Sequence, residues 1–184
     1  RAVAHYQQDE LDAALADARQ AVELSSEPME SWLQLLAALH SQKEDFASAI
    51  PILEQLVVRF PTKKQYWIQL ALTYGAVQDY PRAFAVQLLA YRQGLLKEDK
   101  ELRRLARVAL HQSVPYQAAE VLEKGLEEGV IPRDPEALEL LANSWIASRE
   151  YARALPPLRQ AAELAPNGNL FVRLGQVYMQ REAW

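Results

Sequence analysis

The chain has no cysteine. That excludes a disulfide framework, a thiolate nucleophile and a zinc–thiolate site, and leaves the redox compartment open. It also lacks an excess of positive charge. With a net charge of −4 and a pI near 5.5, it has no basic stripe able to neutralise a run of phosphates, so nucleic acid is not an expected partner. No stretch approaches the roughly 18 to 20 apolar residues that cross a bilayer. The catalytic signatures H-E-x-x-H and G-x-S-x-G and a phosphate-binding loop are missing as well, and neither catalysis nor a cofactor is expected. His5, His40 and His111 lie far apart, without a second ligand at metal-binding spacing, so no metal site is expected. The first residues, Arg1-Ala2-Val3-Ala4-His5, show neither an initiator methionine nor a signal peptide. The chain is therefore expected to be part of a longer protein.

What is present is a packed composition, 50% hydrophobic and 24% charged, arranged as an internal repeat. Leu138, Leu141, Ala142, Trp145, Tyr151, Ala154, Leu158, Ala161 and Pro166 form one full copy. Trp67, Leu70, Ala71, Tyr74, Tyr80, Ala83 and Ala90 form another, with Gln87 at a place usually apolar. A third, read from Trp32, runs Leu35, Leu36 and Leu39, then slips by one residue before Phe46, Ala49, Leu53, Leu56 and Pro61. This slip predicts a longer turn between its two helices. Leu102, Leu105, Ala106, Ala109, Pro115, Ala118, Leu122 and Gly125 give a looser copy. Phe171, Leu174, Gly175 and Tyr178 open a fifth, which ends at Trp184, and Leu11, Ala14, Ala18 and Ala21 close one whose first helix spans only residues 1–7.

This series resembles the tetratricopeptide-repeat (TPR) superfamily over nearly the whole chain. The resemblance implies an all-α fold, a right-handed α-solenoid of antiparallel helix pairs, with four full repeats and a half repeat at each end. The expected boundaries are 1–27, 28–62, 63–97, 98–132, 133–166 and 167–184, in a single array. Small residues at the recurring alanine and glycine places let two helices approach, and the large ones fill the remaining space. Each hairpin alone would expose an apolar face, which stacking covers. Pro28, Pro61, Pro135 and Pro166 punctuate the units. Pro51 and Pro156-Pro157 instead fall about five residues inside second helices, where a missing N–H predicts a kink or a late start.

The phrases Ile50-Pro51-Ile52-Leu53-Glu54-Gln55-Leu56, Gln65-Tyr66-Trp67, Ala90-Tyr91-Arg92-Gln93-Gly94 and Val121-Leu122-Glu123-Lys124-Gly125 further resemble bacterial TPR proteins encoded with TonB energy-transduction components. This second resemblance implies an envelope protein with its repeats in the periplasm, although the residues themselves leave a cytoplasmic location open. No segment of the chain is expected to insert in a membrane.

By the same TPR resemblance, a ligand would lie in the concave groove lined by first helices. The groove candidates are Leu33, Ala37, His40, Ile68 and Leu72, then Lys100, Arg103, Arg104 and Arg107, then Glu139 and Asn143. The apolar set suits a peptide with large apolar anchors. The basic set suits an acidic segment or a terminal carboxylate, unless Arg103 and Arg107 pair internally with Glu136 and Glu139. Lys100 and Arg104 match two positions of chaperone-binding carboxylate clamps, but Leu33, Ala37 and Gln69 do not supply the rest of one. The expected function is a protein or peptide interaction scaffold. The alternatives are a spacer that self-associates through Phe171, Leu174, Val177 and Tyr178, or a regulatory region of an enzyme whose catalytic part lies outside residues 1–184.

Overall fold

The computed structural model describes residues 2–7, 10–165 and 168–182, all helix and short connections, with no strand among them. Two compact units divide the chain, Arg1–Leu95 and Leu96–Trp184. Unit 1 contains α1 (Ala2–Gln7), α2 (Leu11–Glu23), α3 (Glu30–Gln42), α4 (Phe46–Arg59), α5 (Lys64–Ala76) and α6 (Tyr80–Arg92). Unit 2 contains α7 (Asp99–His111), α8 (Pro115–Glu127), α9 (Pro135–Ala147), α10 (Tyr151–Leu164) and α11 (Asn169–Glu182). In each unit, consecutive helices pack as hairpins, and the hairpins stack on one another. Pro166 and Trp184 lie outside the described residues, as does the side chain of His5.

The four complete hairpins share one geometry. In each, the second helix begins sixteen residues after the first, at Phe46 after Glu30, Tyr80 after Lys64, Pro115 after Asp99 and Tyr151 after Pro135. This constancy corrects the expected longer turn, because all four turns span three residues. The length of the connections varies only between hairpins. It also corrects the register of the first complete repeat. Leu33, not Trp32, is the structural counterpart of Trp67, Leu102 and Leu138, and Leu36, Ala37 and His40 follow at the buried places. Trp32 matches Trp67 in residue type but stands third in α3, whereas Trp67 stands fourth in α5.

Each tight turn places a non-glycine residue in the left-handed region: Glu44 (φ 57°), Gln78 (φ 61°), Ser113 (φ 58°) and Arg149 (φ 61°). The following amide reaches back five residues, as Asp45 N does to His40 O at 2.9 Å and Glu150 N to Trp145 O at 2.9 Å. This pattern satisfies carbonyls left open at a helix end. A side chain there costs about 1 kcal/mol relative to glycine, partly offset by glycine's greater freedom when unfolded. Arg149→Gly is therefore expected to be neutral or to raise the melting temperature, and Arg149→Val to lower it by several degrees. Thermal unfolding of the two variants checks the sign.

The interior prolines do not delay or interrupt their helices. α4 runs continuously through Pro51 and α10 through Pro156 and Pro157, and both start at the same point as the other second helices. Proline's missing N–H removes a bond to the residue four earlier. Residues on either side are buried, Ala49 and Leu53 in α4 and Ala154 and Leu158 in α10, and such packing rather than propensity supplies most helical stability.

Candidate functional site

In unit 1 the first helices α3 and α5 lie on either side of a cleft of about 570 Å³. Ala37, Ala38, Ser41 and Gln42 line it from α3, Gln69, Leu72, Thr73 and Ala76 from α5, and Phe46 and Leu53 of α4 contribute the rest of the lining. Leu72 is 55% exposed there, and Ile68, one turn earlier, is 38% exposed. None of the ten lining residues is ionisable.

Glu30 and His40 of α3 both have partners within unit 1. Lys63 Nζ donates to both oxygens of Glu30, at 2.5 and 2.6 Å, and the Tyr66 hydroxyl donates to Glu30 while accepting from Gln34. Lys63 holds the Glu30 carboxyl below its ordinary range. Burial pushes the Tyr66 phenol up. At the other end of α3, buried His40 places Nδ1 2.9 Å from Asp45 Oδ2, and the other Asp45 oxygen accepts from Ser48 N at 3.2 Å. His40 thus ties the end of α3 to the cap of α4. This is why it is not a groove residue.

The structure divides the apolar candidates. Ala37 and Leu72 line the cleft, whereas Leu33 is fully buried in hairpin packing. The register explains the correction, since the inward places predicted one residue too early put Leu33 on the groove. Ala38, Gln42 and Phe46, which sequence reasoning did not assign to the groove, become visible there once the count runs backward from Phe46.

Unit 2 uses its basic cluster differently. The Arg103 side chain is only 8% exposed. Its Nη1 and Nη2 donate to the two oxygens of Asp134, at 3.1 and 2.6 Å, and its Nε donates to Asp99 at 2.5 Å. Asp134 also caps α9 by accepting from Ala137 N at 2.8 Å, so Arg103 fastens α7 to the start of α9. Arg107 pairs with Glu136, whereas Glu139 pairs with Arg173 of α11 at 3.2 Å. Internal pairing is therefore the arrangement present, but its main acid is Asp134 rather than Glu139. Lys100 and Arg104 remain exposed, without a partner among the described residues. Among the described residues, the buried Oδ1 of Asn143 finds no hydrogen-bond partner, and neither does the buried Trp145 indole N–H. Arg153 sits 3.5 Å from the Trp145 ring centroid.

On α11, Leu174 and Val177 are buried, which removes them from the predicted self-association surface, while Phe171, Val172 and Met179 are exposed. Among the described residues no acidic or histidine cluster could hold a metal ion, and no helix is long and apolar enough to cross a membrane.

Residues 103–169, from within α7 to the first residue of α11, match the tetratricopeptide repeat family. The fold is that of a TPR solenoid. YrrB, a TPR protein with an unusual peptide-binding site, superposes with a TM-score of 0.56 at 18% identity, covering 90% of this chain and 84% of that one. MamA from Desulfovibrio magneticus RS-1 gives 0.52 at 16% identity, covering 83% and 85%. A chain of the Naa15/Naa10 assembly bound to HypK-THB gives 0.60 at 17% identity, covering 96% of this chain but only 28% of that one. These likenesses share the TPR fold class. No curated protein sequence matches the chain significantly.

Proposed function

We propose that this TPR chain is a non-catalytic scaffold that holds a segment of another protein in the α3/α5 cleft. The observation that carries this reading is the cleft itself, with Leu72 exposed beside small and uncharged residues. Open apolar surface in a shaped recess is costly in water and marks a docking surface more often than a scattered exposed leucine does. The similarity to a TPR protein with a peptide-binding site supports the same class of function. Arg103 and Arg107 are already engaged by acids, which weakens the case for an acidic ligand on α7.

A photo-crosslinking side chain placed at Leu72 should give a discrete adduct in the native cell. One placed at Val58, exposed on α4, should not. Adducts at neither position, or equally at both, would remove the cleft as the docking surface. The resemblance to TonB-associated TPR proteins extends the proposal to an accessory of TonB-dependent envelope transport, with the repeats in the periplasm. Recovery of the full-length protein from the cytosolic fraction would remove that extension.

A further inference from the structure

A recess in unit 2 is built mainly on second helices and shares no residue with the α3/α5 cleft. It lies between α8 and α10, and its volume is about 150 Å³. An apolar cavity of about that size admits one benzene ring. Leu126 of α8, Leu138 and Leu141 of α9 and Pro157 of α10 line it with apolar surface, and all four are largely buried in the hairpin packing. Pro156 adds an exposed ring beside them.

Two opposite charges line the same recess without pairing. Glu127 has no hydrogen-bond or ion partner among the described residues. Arg133 has only the Gln160 side chain, with Nη1 donating to Oε1 at 3.4 Å. Glu123, the other acid of the lining, is already held by Arg153 at 2.6 Å. Arg133 stands on a stiff segment, because Pro132 precedes it, Asp134 N donates to Pro132 O at 2.9 Å and the Asp134 carboxylate is engaged by Arg103. An apolar wall, a free carboxylate and a guanidinium within one ring-sized recess select an occupant that is apolar in its body, donates one hydrogen bond and offers a π face to a cation. A phenol meets all three conditions. A carboxylate would be repelled by Glu127 and an ammonium by Arg133, whereas phenylalanine would leave Glu127 without a donor.

Pro157 is an independent observation. Counted from the start of each second helix, it occupies the place held by Ile52, Val86 and Val121. Hairpin packing is met there by branched residues that keep their helical N–H, and proline forgoes that bond. Packing therefore gives no account of Pro157. What its ring does supply is a rigid apolar face without a donor, against which an aromatic ring can lie.

We propose that the recess between α8 and α10 is a docking site for a tyrosine side chain of a partner protein, its ring against Pro157 and Leu141, its face toward the Arg133 guanidinium and its hydroxyl donating to Glu127. The test is an amide NMR titration of the whole chain with N-acetyl-tyrosinamide, compared with N-acetyl-phenylalaninamide, N-acetyl-lysinamide and p-cresol.

The tyrosine amide should shift the backbone amides of Leu126, Leu141 and Gln160 with a Kd in the millimolar range, and the phenylalanine amide should bind about tenfold more weakly. Glu127→Ala should bring tyrosine down to the phenylalanine level without changing phenylalanine. Arg133→Gln should weaken both aromatic probes severalfold. Both positions are exposed, so neither change should disturb the fold. Pro157→Val, which restores a helical N–H, should raise the melting temperature yet weaken the tyrosine amide severalfold, an opposition that a purely structural proline would not produce. Equal binding of the tyrosine and phenylalanine amides overturns the proposal, as does tyrosine binding that Glu127→Ala leaves intact or tighter binding of the lysine amide. Binding of p-cresol without the tyrosine amide would make the recess a site for a small phenol, which also overturns it. The absence of shifts at these amides with every probe removes the recess as a site and leaves the α3/α5 reading to its own test.

Discussion

Arg103→Met is expected to destabilise the chain by about 2 kcal/mol at neutral pH, measured by urea denaturation. Removing one member of a buried ion pair typically costs about 3 to 5 kcal/mol. The value here is lower because the Asp99 and Asp134 side chains are 34% and 40% exposed and keep part of their hydration when left alone. Methionine retains most of the buried stem, so the loss reports the guanidinium rather than a cavity.

The pH dependence identifies the source. Arg103 holds the Asp134 carboxyl below its ordinary range. A depressed carboxylate contributes stability that is present above its unfolded pKa of about 4 and lost as pH falls through the lower folded value. The difference between wild type and Arg103→Met should therefore be full at pH 7 and shrink below pH about 4. A difference that stays constant down to pH 2 would assign the effect to packing of the stem. A loss under about 0.5 kcal/mol at pH 7, within the ordinary range for a surface substitution, would show that the Arg103–Asp134 contact is not a fastening at all.

Gly125→Ala should also destabilise, against the usual preference of a helix for alanine. The new Cβ would lie 2.6 Å from Ile131 Cδ1, 2.8 Å from Ile131 Cγ1 and 3.1 Å from Leu102 Cδ1. Ile131 cannot readily withdraw, being buried and fixed by its N–H to Gly125 O at 2.9 Å. Overpacking costs about 1 to 3 kcal/mol, while the gain in helix propensity is about 1 kcal/mol, which leaves a net loss of about 1 kcal/mol. Gly125→Leu should lose more. Combining Gly125→Ala with Ile131→Val, which removes the nearest methyl, should cost less than the sum of the two single changes. A stabilised Gly125→Ala would show that Ile131 repacks freely.

The repeat was legible because hairpin packing imposes the same size restrictions on every copy. Leu138, Ala142, Trp145, Ala154 and Leu158 are all buried, as their recurrence requires. The register around Leu33 was not legible from Trp32, since one aromatic residue at a plausible place outweighed the count. The constant sixteen-residue spacing back from Phe46 resolves it. Asp134 reads in the sequence as part of a turn signal before Pro135. Its second role, receiving the guanidinium of Arg103, depends on how close α7 comes to the start of α9.

By itself, then, the sequence determined the repeat and the places of its small residues, because these follow from periodicity and side-chain volume, while its resemblance to the TPR superfamily supplied the all-α hairpin and the candidate face formed by first helices. Only the tertiary structure decided which residues that face presents. Whether Leu33 is core or ligand contact, and whether Arg103 faces a partner or Asp134, depends on distances between helices some thirty residues apart in the chain. Local spacing does not contain those distances.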